Sequence, residues 1–73
     1  MSDVTIEING RAYQIACEDG QEEHLQRLAE FLEKRLQDVA STVGQVGQER
    51  LLVMAGLLIA DELSDSLAEI DEA

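Results

Sequence analysis

The chain has 73 residues, a single cysteine and a formal net charge of −11, from 16 acidic and 5 basic residues. A domain of this size buries only roughly 60% of the surface that its unfolded chain exposes, so its own core is marginal. One cysteine excludes an intramolecular disulfide, and we therefore expect self-association to supplement the core. The negative charge argues against nucleic acid and anionic membranes as partners.

The longest apolar run, LLVMAGLLIA at residues 51–60, is far shorter than the ~20 residues that span a bilayer. No secretory leader precedes the first predicted element. We therefore expect a soluble protein of the reducing cytoplasm.

A β-hairpin over residues 4–17 is the first predicted element. Apolar and polar residues alternate on both sides of Asn9-Gly10, a dipeptide that favours a two-residue type I′ turn because both central residues need positive φ. This turn pairs Ile8 with Arg11 and places the apolar side chains on one face. That face comprises Val4, Ile6, Ile8, Tyr13, Ile15 and Cys17.

Two helices follow the hairpin. Asp19 and Glu22 have the spacing of a capping box, and apolar residues then recur at helical spacing. Two glycines within residues 41–47 predict a turn, so that a second helix begins near Gln48. Its segment 51–60 is apolar almost all the way round and must be covered on more than one side.

The fold predicted from these elements is α+β, with the order ββαα. Beyond Asp61 the apolar residues alternate steps of three and four, which is typical of a coiled-coil seam. We predict a globular dimerisation head over residues 1–60 and the beginning of a coiled coil over residues 61–73. The candidate interface residues, which a second copy would cover, are Leu52, Val53, Gly56, Ile59, Ala60, Leu63, Leu67 and Ile70.

No arrangement of residues indicates catalysis. Cys17 and His24 lack a third group to orient the histidine, and Cys17 falls on the apolar face of the hairpin. The many carboxylates are typical of a solvated acidic surface, and no Cys/His set has zinc spacing. We predict a protein that is not an enzyme and binds no cofactor or metal.

Two other protein classes share parts of this pattern. The tripeptide at residues 65–67 resembles the site where acyl carrier proteins hold phosphopantetheine, but that motif begins a helix in an all-helical bundle. Ribbon-helix-helix DNA-binding dimers also join a β element to two helices, but an outward strand face with Glu7 and Gln14 suits DNA poorly. A generic acidic dimerisation or adaptor module is the further alternative.

Three segments together resemble the ZapA family of cell division proteins. They are the I-x-G-R-x-Y-x-I-x-C hairpin, the G-x-E-x-x-L entry to the first helix and the A-x-L-x-I-A-D-E-L run of the second. The resemblance implies a cytoplasmic protein that binds the tubulin-like GTPase FtsZ at midcell and cross-links its protofilaments. It also implies a homodimeric head, and a tetramer where the longer coiled coil of the family is complete.

The resemblance also implies where FtsZ would be contacted. If positive side chains meet an acidic FtsZ surface, the candidates on the hairpin and the first helix are Arg11, Lys34 and Arg35. Arg50 is the candidate at the start of the second helix, and Glu49 beside it matches an acidic position of the family. The chain departs from the family at residues 38–44, which carry no basic side chain.

Overall fold

The computed structural model describes the backbone of residues 1–72 and the side chains of residues 1–66. The elements follow in the order β1 (Ser2–Ile8), β2 (Arg11–Cys17), α1 (Glu22–Val43) and α2 (Gln48–Glu72). The predicted ββαα order is therefore confirmed.

β1 and β2 form an antiparallel hairpin with the predicted register. Ile8 pairs with Arg11 next to the turn, and Val4 pairs with Ile15 further along. Both turn residues have positive φ, +52° at Asn9 and +81° at Gly10, as a type I′ turn requires. The period of two and the turn chemistry thus predicted the same register that the backbone adopts.

The beginning of α1 differs from the prediction. Its N-cap is Gln21, which makes no side-chain capping bond. The carboxylate of Asp19 instead accepts a hydrogen bond from the Ser2 hydroxyl at 2.5 Å, because the hairpin brings Ser2 opposite the end of β2. The prediction of Asp19 as the cap is therefore wrong, although Glu22 Oε1 does accept the Gly20 N–H at 2.8 Å.

α1 also continues further than the predicted break at residue 41. It ends at Val43, and the Gly44 N–H bonds to the Ala40 carbonyl at 2.8 Å with Gly44 at φ +84°. The Ser41 hydroxyl bonds back to the Asp38 carbonyl at 2.7 Å, an arrangement that a helix interior accommodates. The second helix begins at Gln48, as predicted.

The core lies where β1, α1 and α2 meet. β1 packs on α1, and α1 packs on α2. The molecule is flat and measures 39 × 33 × 14 Å. Several large apolar side chains stay exposed, among them Ile15, Leu28, Val53 and Leu57. The buried cluster comprises Ile8, Ala29, Leu36, Leu51 and Ala55.

Candidate interaction site at the hairpin tip

The hairpin tip is anchored to the start of α2 by one glutamine. Gln48 Nε2 donates to the carbonyl oxygen of Ile8 at 3.0 Å and to the hydroxyl of Tyr13 at 3.1 Å. Its Oε1 accepts a hydrogen bond from Asn9 Nδ2 at 3.0 Å. Each polar atom of the Gln48 amide is thus engaged, and the last residue of β1 is held against the first turn of α2.

α1 and the loop before α2 hold the turn from the other side. The backbone N–H of Asn9 donates to Glu33 Oε2 at 2.7 Å, a charge-assisted bond of the stronger kind. Gln37 Nε2 donates to Asn9 Oδ1 at 3.2 Å, and Gln45 Oε1 accepts from Asn9 Nδ2 at 3.0 Å. The turn is therefore fixed by three separate segments of the chain.

This anchoring brings three of the predicted contact residues to one end of the head. Arg11 pairs with Ile8 in the strand ladder, and Ile8 is bonded to Gln48. Glu49 and Arg50 follow Gln48 directly in the first turn of α2. All three side chains are exposed, and neither arginine enters an ion pair among the described side chains.

The two remaining predicted contacts lie on α1 in different surroundings. Lys34 is exposed, and it follows Glu33 of the tip network along α1. Arg35 instead lies between the helices, with Nη2 2.8 Å from Glu62 Oε1 of α2 and the guanidinium 5.0 Å above the centroid of the Phe31 ring. Arg35 thus joins α1 to α2, a role that its position in the sequence did not indicate.

Sequence reasoning missed the residues that build the tip network. Glu33, Gln37, Gln45 and Gln48 are ordinary polar residues in helices or a loop, and neither spacing nor charge distinguishes them. Nothing in the local pattern shows that they converge, since Gln48 lies 40 residues from Ile8. The Asn9-Gly10 turn was recognised for its backbone geometry, whereas its role as a hydrogen-bonding centre depends on tertiary contacts.

The predicted interface residues on α2 fall into two groups. Val53 and Leu63 are exposed by 57% and 59%, together with Gly56 and Ala60. Leu57, which was not among the predicted residues, lies beside Gly56 and is exposed by 66%. Leu52 is half-buried and packs on the core of its own chain, and Ile59 is also half-buried. Leu67 and Ile70 lie outside the described side chains. We name the exposed residues Val53, Gly56, Leu57, Ala60 and Leu63 the α2 stripe.

Metal ligation and thiol reactivity can be checked among the described residues. No group of three or more His, Cys, Asp or Glu side chains among them could hold a metal ion. Partial burial, and then the carboxylates of Glu22, Asp3 and Asp19, raise the pKa of the Cys17 thiol; this disfavours the thiolate that a nucleophile requires. Ser66 lies inside α2 rather than at a helix start.

Within the described part of the chain, no single helix has the length and apolar composition needed to cross a membrane. α1 and α2 pass that test only when taken together, and they are bent by 111° at the break between them.

Comparison with known proteins gives a consistent picture. The family model described as "Cell division protein ZapA" matches residues 4–73. The chain is 28% identical over 69 residues to a cell division protein ZapA of Pseudomonas aeruginosa, covering 94% of this chain and 66% of the relative's length. A solved structure described as an unknown conserved bacterial protein from Pseudomonas aeruginosa PAO1 superposes with a TM-score of 0.85 at 26% identity, covering 99% of this chain and 79% of the other.

A family match over nearly the whole chain, together with the same fold in a chain of similar sequence, agrees with the hairpin and helix motifs read from the residues. The chain belongs to the ZapA family of cell division proteins.

Proposed function

We propose that this cell division protein binds FtsZ in the cytoplasm at midcell and cross-links FtsZ protofilaments without catalysing a reaction. The observation that carries the proposal is the anchored hairpin tip, which presents Arg11 and Arg50 from two different elements on one end of the head. Both are among the five cations of a chain with net charge −11. Exposed arginines on an otherwise acidic protein favour docking to a specific acidic patch over non-specific association.

Rigid placement of the tip supports this assignment. A binding surface carried by a freely moving two-stranded hairpin would lose conformational entropy when it docks. Here the bonds from Glu33, Gln37, Gln45 and Gln48 hold the tip in advance. The Arg11 backbone is thereby fixed relative to α2, and docking need order only the exposed side chains.

Cross-linking requires at least two binding surfaces in one particle. A homodimer with two-fold symmetry carries two hairpin tips, and weak contacts at both would add through multivalency. The α2 stripe is the surface that we assign to dimerisation, and with Leu63 it extends into residues 61–73, the predicted beginning of the coiled coil. A complete coiled coil would join two dimers into a tetramer and place tips at both ends.

The test is direct binding to FtsZ, followed by sedimentation of FtsZ polymers formed with GTP. We expect the wild-type protein to bind, and the double variant Arg11→Glu/Arg50→Glu to bind at least about tenfold more weakly, because two attractive charges become repulsive. The triple variant His24→Glu/Arg27→Glu/Ser64→Glu is the matched control for net charge, because it makes the chain more negative by the same amount at three exposed positions outside the tip and outside the predicted contacts.

Binding of wild type and its loss in the Arg11/Arg50 variant alone would support the proposal. Equal weakening in the control would show that only net charge matters. Absence of binding to FtsZ by the wild-type chain would contradict the function itself, and would leave the generic acidic adaptor as the better description. Binding without thicker bundles would separate recognition by the head from cross-linking by the coiled coil.

A further inference from the structure

Asn9 is the only asparagine in the sequence, and Gly10 follows it directly. An asparagine before glycine is chemically labile, because a residue without a side chain lets its backbone nitrogen approach the neighbouring carboxamide. The Gly10 nitrogen bonds to Cγ of Asn9 and gives up its proton, the bond from Cγ to Nδ2 breaks, and ammonia leaves with that proton. Water then opens the cyclic imide at either carbonyl, which leaves aspartate or isoaspartate at position 9.

The conformation of the hairpin turn opposes closure of this ring. The ring requires Cβ of Asn9 and the nitrogen of Gly10 to eclipse each other about the Cα–C bond of Asn9. Both residues have positive φ, +52° and +81°, as in a type I′ turn. The first central residue of such a turn has a ψ of about +30°, which keeps the two atoms far from that alignment. The turn must therefore open before the ring can form.

The tip network also holds the amide that the reaction would consume. Asn9 Nδ2 donates to Gln45 Oε1 and to Gln48 Oε1, each at 3.0 Å. Asn9 Oδ1 accepts a hydrogen bond from Gln37 Nε2 at 3.2 Å. Ring closure makes Cγ tetrahedral and then expels Nδ2, so both donor bonds are lost during the reaction. An amide that is held out of the reacting geometry loses the rate advantage of proximity.

The network specifies an amide, rather than a carboxylate, at position 9. Gln48 Nε2 donates to the Ile8 carbonyl, which can only accept, so Gln48 Oε1 is the atom that faces Asn9. Gln37 Nε2 donates to Glu33 Oε1 at 3.2 Å, and the same nitrogen therefore meets the oxygen of Asn9. Each amide orientation is thus fixed by a neighbour that can only accept, and position 9 must both donate and accept.

We propose that Asn9 is a deamidation site of this protein, that the tip network controls the rate of its reaction, and that the reaction disconnects the hairpin tip from α2. The site is protected while Gln45 and Gln48 hold the amide, and it reacts only in molecules whose tip has opened. The rate then follows the equilibrium population of the open tip. This chemistry belongs to the chain itself and does not depend on binding to FtsZ.

Deamidation breaks the network at its centre. A carboxylate oxygen in place of Nδ2 meets the Oε1 atoms of Gln45 and Gln48, so that acceptor faces acceptor. It also brings a second negative charge to the Glu33 carboxylate, which accepts the Asn9 N–H at 2.7 Å. Turning the Gln48 amide over would place its oxygen against the Ile8 carbonyl. Position 9 therefore cannot become acidic without the loss of hydrogen bonds that hold the tip.

Deamidation kinetics provide the first test. The wild-type protein is incubated at mildly alkaline pH, in buffer and in urea that unfolds it, and aspartate and isoaspartate at position 9 are measured by mass spectrometry of the peptide. We expect the folded chain to react at least about tenfold more slowly than the unfolded chain, because the tip must first open. Equal rates in the two solutions would overturn the proposal.

Glutamine variants separate the tip network from general stability. In the folded protein, Gln48→Ala should speed deamidation at least about fivefold, because the open tip becomes more populated. Gln45→Ala removes one exposed bond to Asn9 and should have a smaller effect. Gln26→Ala is the matched control, since Gln26 Nε2 also donates to a β1 carbonyl, that of Thr5, and it should leave the rate unchanged. Circular dichroism verifies that each variant is folded. Equal acceleration by Gln48→Ala and Gln26→Ala would overturn the role of the network.

Urea unfolding of two variants at position 9 tests the consequence of the reaction. Asn9→Asp introduces the charged product, whereas Asn9→Gly removes the amide without adding a charge, and both residues accept positive φ. We expect the ratio of folded to unfolded chains to fall at least about tenfold for Asn9→Asp. We also expect Asn9→Asp to be no more stable than Asn9→Gly. Wild-type stability of Asn9→Asp would show that the network accepts a carboxylate, and would contradict the proposal.

Discussion

Gln48, the first residue of α2, donates a hydrogen bond of 3.0 Å to the carbonyl oxygen of Ile8, the last residue of β1. This bond joins residues 40 positions apart in the sequence and sets the direction in which the hairpin tip points. Ile8 is itself part of the buried cluster. Ile8 is therefore held both by packing in the core and by its hydrogen bond to Gln48. Both interactions fix the position of the hairpin tip, to which we assign the binding surface.

Replacing Gln48 tests how much this anchor contributes. Gln48→Ala removes bonds to Ile8, Tyr13 and Asn9, and we expect the free energy of unfolding to fall by about 1–3 kcal/mol because partly buried polar groups lose their partners. Gln45→Ala removes one exposed bond to Asn9 and should cost less than about 1 kcal/mol. Urea unfolding of both variants measures the difference; equal losses would contradict the central position of Gln48.

The Arg35–Glu62 ion pair predicts a measurable coupling between α1 and α2. The side chains are 30% and 42% exposed at a separation of 2.8 Å, so solvent screening limits the coupling to about 0.5–1 kcal/mol. A double-mutant cycle with Arg35→Ala and Glu62→Ala measures it. The corresponding cycle with Asp38, which is 61% exposed and 3.5 Å away, should give a smaller coupling. A value of zero for Glu62 would show that Arg35 is not held there in solution.

The α2 stripe predicts self-association. We expect light scattering after size exclusion to show no monomer of the wild-type chain at micromolar concentration, because Leu57 and its neighbours leave a large apolar surface uncovered in one copy. Leu57→Glu should shift the population towards monomer with an unchanged helical circular dichroism spectrum, since this side chain is exposed. His24→Glu adds the same charge at an exposed polar position and serves as the control. A wild-type monomer would contradict the assignment.

Two carboxylates near the hairpin base predict a loss of stability in acid. Hydrogen bonding to the Ser2 hydroxyl, and then the Met1 ammonium, lower the pKa of Asp19. Its own backbone amide, then Ser2 and Gly20, lower the pKa of Glu22. Because folding lowers both pKa values, the two ionised carboxylates stabilise the folded chain at neutral pH. This stabilisation is lost as the pH falls from the ordinary carboxyl range, about 4, through the folded pKa values.

Ser2→Ala provides the corresponding measurement. Removing the hydroxyl should raise the pKa values of Asp19 and Glu22 towards the ordinary range in a carboxyl titration followed by NMR. It should also make acid unfolding less steep, because the folded and unfolded chains then bind protons more equally. Ser64→Ala, on the exposed part of α2, is the control. Unchanged titration of Asp19 in the Ser2 variant would contradict the hydrogen bond.

The sequence predicted the hairpin turn correctly because neighbouring residues alone determine its conformation. It predicted the cap of α1 wrongly because a residue distant in the sequence binds the predicted capping side chain. The Asn9-Gly10 turn follows from two residues that both accept positive φ, and the structure has that turn. Asp19 satisfies the local rule for a helix cap equally well, yet Ser2 takes its carboxylate. The competitor comes from the other end of the hairpin, so no window around residues 19–22 could have revealed it.

The sequence by itself determined the type and order of the elements, the hairpin register and the family, because these depend on residue period, turn conformation and short motifs. Only the tertiary structure decided what surrounds the turn and what Arg35 does. The bonds of Asn9 to Glu33 and of Gln48 to Ile8, and the ion pair of Arg35 with Glu62, form because α1 and α2 cross at one particular place. That crossing is set by the packing of Leu36, Leu51 and Ala55 in the core, which no local pattern encodes.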